Sequence, residues 1–183
     1  MKSKVNYIDP ETMKLLLDKV ASLPTHADPK DIQMLFKTCY HCALRINEAL
    51  KLKPENFDLE EREVFLGDTK ASKAERRVIP KEFIKELASY LSSKEGRIWN
   101  YNRITVWNWL KTLGKELDIP SLTTSQSETH EKTVTHIFRK SNAKDMLYKK
   151  IPLNIVSKKL GHHNINTTSS YLKVNLEDVK QYE

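Results

Sequence analysis

The stretch Leu160-Gly161-His162-His163, continuing to Thr167-Thr168-Ser169-Ser170-Tyr171, carries the reading of the fold. Pro152 opens a short helix that ends at Leu160. Gly161 serves as its C′ residue, because glycine enters the left-handed region without the Cβ clash other residues meet. Thr167 or Thr168 is predicted to cap the next turn, which carries Tyr171. Tyr171 therefore follows His162 by nine residues across a helix break. Upstream, the segment from Val134 to about Lys149 reads as a helix and contains Thr135-His136-Ile137-Phe138-Arg139-Lys140-Ser141. His136 and Arg139 are three apart, so they share one helix face and can reach one ligand.

Outward from there the chain reads as helix-rich. Asp9-Pro10 and Asp28-Pro29 each join an N-cap acceptor to a proline at the first helical position. Met13, Leu16, Leu17 and Val20 then fall on one face, and Ile32, Leu35, Phe36 and Cys39 on another. A short third helix is predicted from Asn47 to Leu52, stopping before Pro54. Between Phe57 and Pro80 the apolar period changes: Glu63-Val64-Phe65-Leu66 and Arg77-Val78-Ile79 read as strands, with a polar, lysine-rich tip from Gly67 to Arg76. Helical stripes resume at Phe83, Ile84, Leu87, Leu91 and at Val106, Trp109, Leu110, Leu113, Leu117. Ser121 to Lys132 reads as a loop. Asn175 with Asp178 resembles a capping box for a last short helix. The fold class is mainly α with a small antiparallel β-hairpin or sheet, an α+β arrangement without an internal repeat.

Its 183 residues suffice for one well-filled domain or two very small ones, and no convincing domain boundary interrupts them. Lys and Arg number 31 against 24 Asp and Glu, a net charge of +7. Such a surplus favours a polyanionic partner, because neutralised phosphates release condensed counterions. No apolar stretch approaches the roughly 20 residues that span a bilayer, and the start lacks a signal-peptide pattern, so the expectation is a cytoplasmic protein. Cys39 and Cys42 form a C-x-x-C without a second pair to complete a zinc site; two reduced, partly buried thiols are expected. Trp99, Trp107, Trp109 and Tyr101 have the chemistry to stack bases, but the expectation is Trp109 in the core and the others in half-exposed packing.

From about Tyr7 to its end the chain resembles the catalytic domain of the tyrosine recombinases, the phage integrase family. The family segment G-L-R-I-x-E-x-x-x-L stands here as Ala43-Leu44-Arg45-Ile46-Asn47-Glu48-Ala49-Leu50-Lys51-Leu52, with Ala43 in place of glycine. A hairpin lysine before an apolar pair and proline stands as Lys70 ahead of Val78-Ile79-Pro80. Lys73 lies closer to Pro80 and is the alternative, because the tip is about two residues longer than usual. H-x-x-R is met by His136 and Arg139, although Lys140 replaces a frequent histidine. L-G-H with tyrosine nine residues on is met by His162 and Tyr171, preceded by the family's threonine pair as Thr167 and Thr168. Singly each match is weak; their order makes the set specific.

The resemblance implies a tyrosine recombinase catalytic-domain fold over residues 1–183, with the family's N-terminal DNA-clamping domain absent from this chain. It implies a site-specific recombinase or integrase that cleaves and rejoins DNA through a 3′-phosphotyrosyl intermediate, without ATP, cofactor or metal. Tyr171 would be the nucleophile, Arg45 and Arg139 the ligands of the phosphate oxygens, His136 a proton acceptor or donor, His162 a further donor and Lys70 the general acid. The implied partner is double-stranded DNA. The isolated domain is expected as a monomer and the full-length protein as a tetramer on DNA; the segment bearing Leu172, Val174, Leu176 and Val179 docks either on its own domain or, as the resemblance suggests, on the neighbouring protomer. A type IB topoisomerase shares the chemistry, and a helical DNA-binding regulator without catalysis is the alternative outside the enzymes.

Overall fold

A computed structural model describes residues 7–67, 75–123, 136–162 and 164–172. Lys70, Lys73, most of the expected loop and the expected capping box at Asn175 lie outside the described residues. Helix α1 (Pro10–Lys19) begins where its cap dictates: the Asp9 carboxylate accepts from the Thr12 amide at 2.8 Å. Helix α2 (Pro29–His41) starts the same way on Asp28. Met13, Leu16 and Val20 of the first stripe and all four residues of the second are buried.

Helix α3 (Ile46–Ala49) is shorter than the predicted span and begins one residue earlier, with Arg45 as its N-cap. The expected hairpin is a three-stranded antiparallel sheet, in the order β1 (Phe57–Asp58), β2 (Glu63–Leu66), β3 (Glu75–Val78). β1 has only two residues, too few for a period to show. β3 starts at Glu75 rather than Arg77, and Val64 faces Arg77 in register. Helices α4 (Lys81–Leu91), α5 (Arg103–Glu116) and α6 (Pro120–Thr123) follow. α6 corrects the loop expected from Ser121: Ser121 and Leu122 are buried, so packing holds a turn of helix that a polar sequence does not announce. Then come α7 (Ile137–Tyr148), α8 (Leu153–Leu160) and α9 (Ile165–Leu172).

Two apolar clusters meet at α7. The larger gathers α1, α2, α4, α5 and the sheet, and reaches α7 through Ile137 and Phe138, whose ring lies 4.9 Å from that of Phe36. The smaller joins Ala43, Ala143, Val156, Leu160 and Leu172, so Leu172 packs on its own domain and not on a neighbouring protomer, while Val174, Leu176 and Val179 lie outside the described residues. Arg139 is on the helix that joins the two clusters. Trp99 corrects an expectation: it is core, with Tyr90 stacked on it, while Trp107 is half-buried. Cys39 and Cys42 are free and fully buried, and burial pushes both thiols up, Cys42 to about 12. At such values neither is a thiolate near neutral pH. Among the described residues no helix is long and apolar enough to cross a membrane.

Candidate active site

The corner before α3 shows why the family pattern has glycine where this chain has alanine. Ala43 sits at φ +53°, in the left-handed region that costs a residue with a Cβ roughly 1–2 kcal/mol. Its methyl is buried in the smaller cluster, an apolar contact that glycine lacks. The turn aims the Ala43 carbonyl at Arg139, whose Nη1 donates to it at 2.9 Å. Arg139 Nη2 donates to the Leu160 carbonyl at the end of α8. This guanidinium is 1% exposed and joins the corner before α3 to the corner after α8.

Arg45, by contrast, keeps 39% of its side chain exposed. Glu48 orients it twice: one carboxylate oxygen accepts the Arg45 amide at 2.7 Å, the other pairs with Arg45 Nη1 at 2.5 Å. The first oxygen also stands 4.0 Å from Arg139 Nη1, so one carboxylate lies between two guanidiniums. Arg45 and Glu48 line an open groove of about 620 Å³ with Lys51, Lys53, Gly67 and Glu75. Among the described residues no group of three or more His, Cys, Asp or Glu is placed to hold a metal ion.

His162 follows Gly161, which has φ +66° as the C′ assignment requires. Its Nε2 lies 3.3 Å from Arg139 Nη2 and its Nδ1 2.8 Å from Thr168 Oγ1. Arginine is a donor only, so this contact gives the lone pair to Nε2 and the proton to Nδ1, which donates to Thr168. Thr168 is fully buried inside α9 and does not cap it. Asn164 takes that place: its side chain accepts from the Asn166 amide and its carbonyl from the Thr167 amide. α9 is thereby tied to His162 by a side-chain bond, and Tyr171 lies in α9 three residues beyond Thr168.

His136, the N-cap of α7, is half-buried. Burial, then the charges of Arg45 and Arg139, lower it to about 4. His162 is lowered to about 4 by burial, then by Arg139, Arg45 and Arg77. Both rings are therefore neutral near pH 7. The unfolded chain takes up these protons as pH falls through about 6.5, whereas the folded chain resists until about 4. Stability is then full above the unfolded value and is lost progressively between 6.5 and 4. Thermal melts should fall steadily from pH 7 to pH 5, and His136→Gln with His162→Gln should flatten that slope. Some slope persists from His41, which burial against Phe83 also lowers. An unchanged slope in the double variant counts against the two rings as its source.

The structure thus brings together Arg45, His136, Arg139 and His162, and places Tyr171 on a helix tied to them. Lys70 lies outside the described residues. Sequence reasoning gave Glu48 no task and passed over Glu75 and Arg77. The missed signal is alternation: Ile79 is buried, so Arg77, two residues earlier on the same face, must also point inward. Val78, the apolar residue between them, is 49% exposed.

Comparison with known proteins finds relatives and solved structures that share this fold. The tyrosine recombinase XerA of Pyrococcus furiosus is 27% identical over 168 residues, covering 84% of this chain and 54% of the relative. The chain thus spans about half of that relative's length. The catalytic domain of bacteriophage HP1 integrase superposes with a TM-score of 0.68 at 17% identity, over 95% of this chain and 90% of that one. XerH site-specific recombinase, in a post-cleavage complex with its palindromic difH substrate, superposes with a TM-score of 0.70 at 18% identity, over 98% of this chain and 53% of that one. The family model described as the phage integrase family matches residues 6–178, nearly the whole sequence, and the chain belongs to that family.

Proposed function

We propose that this chain is the catalytic domain of a site-specific DNA recombinase, with Tyr171 as nucleophile and double-stranded DNA as substrate. The observation that carries the reading is a pair of guanidiniums, Arg45 and Arg139, flanking Glu48 beside two neutral histidines, with the helix of Tyr171 bonded to one of them. The DNA-bound state of XerH, a protein of the same fold, supports the choice of substrate. Residues 1–183 act as the catalytic unit. Clamping of the opposite DNA face, and tetramer assembly through the C-terminal segment, belong to the full recombination complex.

In the first step the Tyr171 oxygen attacks the phosphorus and its proton passes to His136. The bond from phosphorus to the 5′-oxygen breaks, and Lys70 protonates that oxygen. The products are a 3′-phosphotyrosyl link and a free 5′-hydroxyl. A 5′-hydroxyl from a second strand reverses the sequence, so bond energy is conserved and no ATP is consumed. Guanidiniums suit the transition state because each donates two parallel hydrogen bonds and stays charged. They supply the charge stabilisation that metal ions supply in many other phosphoryl-transfer enzymes. His162 joins on substrate binding: a phosphate at Arg139 displaces the contact to Nε2, and its negative charge favours a second ring proton, which turns Nε2 into a donor.

The test is incubation with nicked DNA libraries from which the short 5′-product diffuses away, followed by sequencing of DNA bound covalently to Tyr171. Relaxation of supercoils without joining of two duplexes would favour the topoisomerase reading, and no adduct at all the regulator. Lys70→Ala should lower cleavage about 10²–10⁴-fold, the usual range for a lost general acid. A 5′-thio leaving group should restore it, since a thiolate departs without a proton. Rescue of Lys73→Ala but not of Lys70→Ala moves the general acid to Lys73.

A further inference from the structure

Strand β3 carries a buried charge that the recombinase chemistry leaves without a task. Arg77 is 2% exposed, and its guanidinium is held by Glu75 Oε2 at 2.6 Å and by the Arg76 carbonyl at 3.1 Å. Burial raises the Glu75 carboxyl, but the hydrogen bond and charge of Arg77, then the charges of Arg45 and Arg139, bring it below its ordinary value. Burying a guanidinium costs desolvation that the attraction of a half-exposed carboxylate repays only in good geometry, so its presence asks for a reason.

The reason lies across the guanidinium. A Cβ placed on Gly161 would stand 2.5 Å from Arg77 Nη1, 2.6 Å from Cζ and 2.7 Å from Nη2. Near-equal distances to three atoms of one plane put position 161 over the face of the guanidinium. Gly161 is thus needed twice, for its φ of +66° and for this close approach. The corner 160–162 is held from two directions. Arg139 binds the Leu160 carbonyl and meets His162 Nε2, while Arg77 supports the glycine between them.

We propose that Arg77 is a positioning residue: clamped by Glu75, it is the base on which the Gly161–His162 corner rests, so that strand β3 sets where the His162 ring meets Arg139. The segment bearing Lys70 runs directly into β3. Through this contact the strand next to the general acid and the histidine donor are placed by one element. The activity arm of the test rests on the recombinase reading; the titration arm does not.

The experiment uses the whole chain. Arg77→Gln and Arg77→Met, two uncharged variants that guard against misfolding of either, and Arg77→Lys are compared with wild type by NMR titration of the histidine rings. In the uncharged variants the His162 midpoint should rise toward the ordinary 6.5, because a nearby cation is gone. His136, lowered by burial, Arg45 and Arg139 and not by Arg77, should stay where it is. Arg77→Lys should keep the His162 midpoint low. In the second arm, Gly161→Ala should lower adduct formation about 100-fold, the scale of a 1 Å misplacement, but only a few-fold in an Arg77→Ala background, where the added methyl has room. An unmoved His162 midpoint in a folded uncharged variant, or an equal cost of Gly161→Ala in both backgrounds, overturns the proposal. If wild type forms no adduct, the recombinase reading fails, and the titration still decides the placement of Arg77.

Discussion

Tyr171→Phe is expected to abolish the covalent DNA adduct while leaving duplex affinity within about two-fold, because one phenolic oxygen is lost and phosphate binding is left to the cations. Position 171 also survives elimination among the seven tyrosines. The hydroxyls of Tyr7 and Tyr148 are bonded to each other at 2.6 Å. Burial pushes the Tyr40, Tyr90 and Tyr101 phenols up, with Asp145 beside Tyr40 and Asp31 beside Tyr90 and Tyr101 adding to it. A phenol held protonated in this way is a poor nucleophile. Tyr171 stands on the helix that Thr168 ties to His162, and Tyr182 lies outside the described residues. Mass spectrometry of the trapped adduct decides between these last two. DNA on Tyr182, or adduct persisting in Tyr171→Phe, would remove Tyr171 from the mechanism.

What could be read from the chain alone was what is local. Asp9 and Asp28 cap their helices because a carboxylate beside proline leaves few other choices, and the apolar stripes behind them are buried as their period requires. Gly161 takes the left-handed turn assigned to it. What escaped depends on neighbours distant in sequence. Thr167 and Thr168 look like caps, yet Asn164 is the better acceptor three residues earlier, and Thr168 is drawn inward by His162. The inward face of Arg77 follows from alternation with Ile79, but that α8 ends against its guanidinium does not. Arg139 was recognised by its spacing from His136, but nothing local announces that it is fully buried. That follows from two carbonyls, Ala43 and Leu160, which lie 96 and 21 residues away.

That burial separates the two arginines by experiment. Arg45→Ala and Arg139→Ala should each slow cleavage by roughly 10²–10³, the usual cost of one lost transition-state donor. Their stabilities should differ sharply. Arg45 is 39% exposed and bonded to Glu48, so its removal should move the melting temperature by no more than about 2 °C. Arg139→Ala strands the Ala43 and Leu160 carbonyls and leaves a void where a whole buried side chain stood. Breaking a buried charged network in this way costs roughly 3–5 kcal/mol. In a domain of this size that lowers the melting temperature by about 10 °C. Arg139→Lys should recover little of either loss, because an ammonium is a point charge and cannot span two carbonyls and a phosphate as a planar fork does. The comparison needs cleavage rates per folded molecule, beside melts of the same preparations. Equal destabilisation by the two alanines would mean that Arg139 is not the tie between the corners before α3 and after α8. A normal rate per folded Arg139→Ala molecule would leave it a structural arginine, with the phosphate held by Arg45 alone.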